Sequence, residues 1–200
     1  MNIFNTQKIR IMKKSVLLVA FLAMLGVATA VAQPRAIGGQ IGYGIEASYE
    51  HTLGNNFLSI DLGLPGWFYQ GFGIEGVVTY NWLNPFGADF PAVSQGDWNW
   101  YMGVGLGIGD RIWNYSTWST YAREYRNNFH VGVAGRFGVE YNFWFPLQLS
   151  AEWRPTVGPR FYSDVYYDIN GSRYVADKGV YYYTDGLYLG AILIGVRYKF

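Results

Sequence analysis

The sequence predicts an all-β protein: a closed, antiparallel, eight-stranded transmembrane β-barrel behind an N-terminal signal peptide. Three observations predict it. Apolar and polar residues alternate with a period of two in segment after segment of residues 33–200. Aromatics make up 20% of the chain and charged residues only 14%. Beyond the leader no apolar run reaches the ~20 residues that a membrane helix needs. Such a chain is apolar without being helical, and only a closed sheet lets strands cross lipid with every backbone group paired.

The leader comes first. Lys8, Arg10, Lys13 and Lys14 precede the apolar run "SVLLVAFLAMLGVATAVA", and Ala30-Val31-Ala32 fits a small-residue cleavage site. Residues 1–32 therefore read as a signal peptide and 33–200 as one outer-membrane barrel domain. Removing the leader takes four of the 15 basic residues and none of the 14 acids, so the mature chain is net acidic and offers no basic patch for nucleic acid. The chain has no cysteine, which excludes a lipid-anchored N-terminal cysteine, disulfides and thiolate metal sites.

The strands follow in order. Ile37, Ile41, Ile45 and Tyr49 share one face, opposite Gln40, Glu46, Ser48 and Glu50. Leu58, Ile60, Leu62 and Leu64 oppose Ser59 and Asp61. Segments 71–82 and 98–109 continue the series, the second with Gly103, Gly105, Gly107 and Gly109 on one face, read as room for large Arg and Glu side chains. Phe129, Val131, Val133, Phe137, Val139 and Tyr141 oppose His130, Arg136 and Glu140; Leu147, Leu149 and Trp153 oppose Gln148, Glu152 and Arg154. The last strand sets Tyr188, Ile192, Ile194, Val196, Tyr198 and Phe200 against Arg197 and Lys199. Single-chain bacterial barrels have even strand counts and both termini on the periplasmic side. Counting back from the last strand, residues 35–51 must then hold two strands that bend near Tyr43-Gly44, although they also read as one. The connections 110–127 and 158–186 are long and lie outside, the latter as a ribbon turning at Asn170-Gly171. Residues 83–97 are long for a periplasmic turn, with Pro85 and Pro91 making them irregular.

With the strands in place, "YNFWFPLQLSAEWRPTVGP", "DWNWYMGVGLGIG" and the ending "IGVRYKF" resemble the small outer-membrane β-barrel proteins of Bacteroidetes-type bacteria. More distantly the chain is similar to the eight-stranded outer-membrane protein X and A class. The resemblance implies the bacterial outer membrane as location, membrane lipids as surroundings and transient contact with the barrel-assembly machinery. It also implies that the terminal aromatic strand, Tyr198 and Phe200, serves as the assembly signal. It implies little about activity, since fold alone does not.

The inward charges Glu46, Asp61, Glu75, Arg136, Glu140, Glu152, Arg154 and Arg197, with Glu50 and Lys199, are expected to pair and plug a lumen only wide enough for side chains. Trp113, Trp118, Tyr166, Tyr167, Tyr181 and Tyr182 are candidate surface-binding residues for an unknown extracellular ligand or protein. The expected function is a structural or surface-interaction barrel, with no cofactor, no metal site and no catalytic residue. Two alternatives stand beside it: a lipid-modifying deacylase or acyltransferase using His130 with a loop serine and an acid, and a narrow pore or apolar-solute conduit. His51, placed at a turn, receives no role.

Overall fold

The computed structural model describes residues 33–42, 44–65, 72–87, 90, 93–115, 123–167, 173–185 and 192–200. The leader 1–32, Trp118, Tyr188 and the Asn170-Gly171 turn lie outside the described residues. Ten strand segments are present: β1 (Pro34–Ile41), β2 (Gly44–Leu53), β3 (Asn56–Pro65), β4 (Phe72–Leu83), β5 (Gly96–Tyr115), β6 (Arg123–Phe143), β7 (Leu147–Trp153), β8 (Thr156–Tyr167), β9 (Arg173–Asp185) and β10 (Ile192–Lys199). All pairings are antiparallel. Among the described residues the only helical element is a 3-10 turn, Pro85–Gly87.

The ten segments make eight staves. β6 pairs with β7 in its lower half and with β8 in its upper half, and the register runs on without a slip from Phe137 opposite Trp153 to Ala134 opposite Thr156. Only Arg154 and Pro155 separate β7 from β8: Gly135 donates to the Pro155 carbonyl at 2.8 Å, and proline has no N–H to return the bond. β9 and β10 likewise form one descending stave. Here the register does slip. Thr156 faces Asp185 and Trp153 faces Ile192, so three steps along one stave match seven along the other. The last stave thus carries four extra residues between its halves. Closure comes from β10 pairing with β1, Lys199 opposite Ala36 through Ile194 opposite Ile41. Residues 34–53 hold two strands, β1 ending at Ile41 and β2 starting at Gly44, so the count is eight as parity requires.

Partners can be followed once round the wall: Lys199, Ala36, Glu50, Ser59, Thr79, Gly105, Ala134, Thr156, Asp185. The path returns to the last stave fourteen residues higher, four of them the insertion, which is a stagger of ten. Stagger sets strand tilt and the width of a closed sheet. Most residues on this path are small, which leaves the axis free for longer side chains from the rows above and below.

The partition of side chains is inverted relative to a water-soluble domain. Among the described residues twenty-two buried side chains are polar or charged and eight are hydrophobic. The outer wall instead shows Ile37, Ile41, Ile45, Val104, Leu106, Val133, Ile194 and Val196, each between 44% and 65% exposed. At the end of the barrel where Pro34 and Phe200 lie, the outer face carries rings in contact: Tyr80–Trp82, Trp98–Tyr141, Tyr141–Phe143, Phe143–Phe145 and Tyr198–Phe200, with centroids 4.7–5.3 Å apart. Toward the other end Phe129 and Phe161 pair at 6.1 Å.

β5, β6, β8 and β9 rise beyond the closed wall as paired ribbons, with Tyr115 still opposite Glu124 and Tyr167 opposite Arg173. Of the long outer connections, 110–127 is strand where it is described, and 158–186 forms the ribbon expected of it.

Candidate functional site

The strand period delivers charge to the interior, and the interior is where the polar chemistry concentrates. Its hub is Glu152 on β7. Glu152 Oε2 accepts from Arg136 Nε at 3.0 Å and Nη2 at 2.5 Å, and from the Tyr101 hydroxyl at 2.7 Å. Arg197 Nη2 lies 3.5 Å from the same oxygen. Asp61 on β3 is the second hub: Arg136 Nη1 donates to Asp61 Oδ2 at 2.8 Å, and Arg154 Nη1 lies 3.1 Å away. The two arginines are neighbours across β6 and β7, so one carboxylate relieves their repulsion. Arg154 also reaches Glu46 at 2.5 Å. Arg197 donates to Ser48 at 3.0 Å and Ser150 at 2.7 Å, and sits 3.4 Å from Glu50. Guanidinium groups suit this arrangement because each can bridge several carboxylates while remaining charged.

A second cluster, joined to the first through Glu50, fills the end near Pro34. Arg35 bridges Glu50 and Glu140, and its guanidinium lies 4.1 Å from the centroid of the Phe57 ring. Glu140 further accepts from Gln148 at 2.6 Å, Asn142 at 2.8 Å and Asn99 at 3.3 Å. Toward the other end His130 is 1% exposed, its Nε2 3.7 Å from Glu75 and its ring edge-on to Tyr183 at 5.0 Å. Arg160 stacks over the same tyrosine at 4.5 Å.

The structure places all eight expected lumen charges, Glu46, Asp61, Glu75, Arg136, Glu140, Glu152, Arg154 and Arg197, on the interior face, each 5% exposed or less. Glu75 belongs to the His130 group and the other seven to the two arginine clusters. Lys199 differs from expectation. It lies at the rim and donates to the Phe143 carbonyl at 3.4 Å rather than joining a carboxylate. The glycines of β5 differ too. A Cβ on Gly103 would meet the Asn81 side chain at 2.1 Å, and one on Gly109 would meet His130 at 2.4 Å. They make room for an amide and an imidazole, not for arginine or glutamate.

Sequence reasoning missed Arg35 and Arg160. Arg35 has the parity of the outer face. The register shifts between Pro34 and Ala36, so two residues of β1 face one of β2, and this bulge turns Arg35 inward. Arg160 was findable: the alternation of Arg154 and Thr156 continues to it, once residue 158 is not taken as the start of an outer connection.

Of the surface-binding candidates, Tyr182 is 83% exposed and Tyr181 is 42% exposed, on β9. Trp113 lies in β5, and Tyr166 and Tyr167 in β8, by their backbones; their side chains, like all of Trp118, lie outside the described ones. His130 Nδ1 has no hydrogen-bond partner among the described residues. No group of three or more His, Asp or Glu suited to a metal ion occurs among the described residues. The chain matches no family model, no curated protein and no solved structure.

Proposed function

We propose that the chain is an integral outer-membrane β-barrel with a charge-plugged lumen and a structural or surface-interaction role carried by its protruding ribbons. One observation carries the reading: a closed eight-stave wall that is apolar outside and ionic inside. In water that wall would expose a continuous apolar band, far more than a soluble monomer tolerates. In lipid it is the expected partition. The dimensions agree. From Tyr141 to Phe129 the outer face of β6 spans twelve residues, ~40 Å along a strand. A tilt of ~35–45° brings that to about 30 Å along the axis, close to the hydrocarbon thickness of a bilayer. The ring contacts at the two ends of this span suit interfacial girdles.

The reading assigns His130 to the lumen wall and gives the protein no catalytic step. Its surroundings are membrane lipids, its transient partner the barrel-assembly machinery, and its ligand a molecule met by the tyrosine-bearing ribbons. The test is fractionation of cells producing the protein, with heat-modifiable gel mobility as the sign of a folded barrel. We expect recovery in outer-membrane fractions and a mobility shift on boiling. Recovery as a soluble protein without the shift would refute the reading. Val104→Arg, at the middle of the outer band, should destabilise the membrane-inserted barrel by about 2–4 kcal/mol.

A further inference from the structure

We propose that the connection between β4 and β5 is a second lipid contact, in which Phe86 inserts into the boundary between headgroups and acyl chains at the end of the barrel where Pro34 and Phe200 lie. The inference rests on the membrane reading above and concerns a segment that reading leaves unused.

Phe86 is 90% exposed, the most exposed large hydrophobic residue among those described. Its backbone is left-handed, φ 66° and ψ 15°, a region that bulky residues rarely occupy. Such a conformation persists only where the surroundings impose it, and the base of the connection is firmly held. The Asn84 backbone donates to the Trp100 carbonyl at 2.8 Å, and its side chain accepts from the Trp100 amide at 3.0 Å and donates to Asn99 at 2.7 Å. On the other side Val93 bridges to Gly96, and the Trp144 amide donates to the Gln95 carbonyl at 3.3 Å. The apolar tip is thus presented by a pinned segment.

The direction of presentation argues for lipid. Phe90, 45% exposed, lies 6.4 Å from Trp98, which stands on the outer wall and is 44% exposed. Trp98 continues into the ring series Tyr141, Phe143, Phe145 and Trp144, the last 76% exposed. The connection therefore touches the outer aromatic belt through Phe90, four residues from Phe86. Between residues 84 and 96 the only ionisable side chain is Asp89, so the segment offers no cation to an acidic polymer or headgroup. Exposed aromatic and apolar side chains without basic charge suit the interfacial zone of a bilayer.

The chain has no cysteine, so single-cysteine variants can be labelled cleanly. Phe86→Cys, Val104→Cys and Tyr182→Cys would each carry an environment-sensitive fluorophore. Each would be reconstituted in phosphatidylcholine–phosphatidylglycerol vesicles, with and without bromines high on the acyl chains. We expect blue-shifted, bromine-quenched emission at positions 86 and 104, and iodide-quenched emission at 182. Quenching at 104 together with aqueous behaviour at 86 would overturn this inference and leave the membrane reading intact, pointing instead to a soluble protein partner for the tip. Aqueous behaviour at both 86 and 104 would overturn the two together.

Discussion

Glu152 meets three donors within hydrogen-bond reach and a further arginine at 3.5 Å, with no exposed surface on its side chain. Removing one partner of a buried ion pair leaves the other charge uncompensated, at about 3–5 kcal/mol. Glu152→Ala should therefore lower barrel stability by that amount in urea unfolding followed by tryptophan fluorescence in lipid vesicles. Lys199→Met, at the rim, should stay within about 0.5 kcal/mol. An equal effect of both would mean that the plug does not hold the wall together. Residue identity alone was enough to place Glu152 and its arginine partners inside, because a period of two leaves each strand position one face. It could not place Arg35, because a bulge adds a residue that the alternation does not count. Pairing was beyond it as well: which carboxylate shares which arginine depends on the stagger of the barrel, and the alternation of a single strand does not contain it.

For the elements, the strand count followed from parity, and the break between β1 and β2 falls where glycine frequency suggested it. The reach of β8 and β9 was less legible, because residues 158–186 read as an outer connection although the ladder of the wall, interrupted at Pro155, continues into them. That proline leaves the Gly135 carbonyl without its returning donor. An unsatisfied carbonyl in a lipid-facing wall costs about 1–3 kcal/mol, more than the ~0.4–1 kcal/mol that proline gains by stiffening the unfolded chain. Pro155→Val should thus raise stability by about 1 kcal/mol, read as a shifted urea midpoint. A lowered midpoint would show that the ring is needed for packing beside Gly135. In β10, Tyr198 and Phe200 contact each other on the outer face at 5.3 Å, and the Phe200 amide donates to the Arg35 carbonyl at 3.1 Å. Phe200→Asp should sharply reduce the folded, heat-modifiable fraction in cells, whereas Tyr182→Asp on the ribbon should leave it unchanged. Equal yields would remove the assembly role from the terminal strand.

For the whole molecule, a lumen crossed by Arg35, Arg136, Arg154 and Arg197 and their acids leads us to expect no stable open conductance in planar bilayers. Reproducible ion-selective steps from pure protein would favour the narrow-pore alternative. The ribbons separate from the scaffold at a definite level. Arg160 and Tyr183 pack inside against His130, while Tyr162 and Asp177 bond to each other in the open at 3.0 Å. Replacing residues 162–179 with Asn-Gly should keep heat-modifiable mobility and weaken any ligand binding that Tyr166 and Tyr167 carry; loss of folding would make the ribbon part of the scaffold. The four-residue insertion in the last stave has a mechanical consequence. Among the described residues β9 pairs only with β8 above it, and the ladder that closes the ring runs from Ala36 opposite Lys199 to Ile41 opposite Ile194, while β5 and β6 stay zipped from Gly96 to Tyr115. A ring under load parts at its shortest seam. The first and last strands are therefore the latch of this barrel, with Arg35 and Phe200 as its clasp.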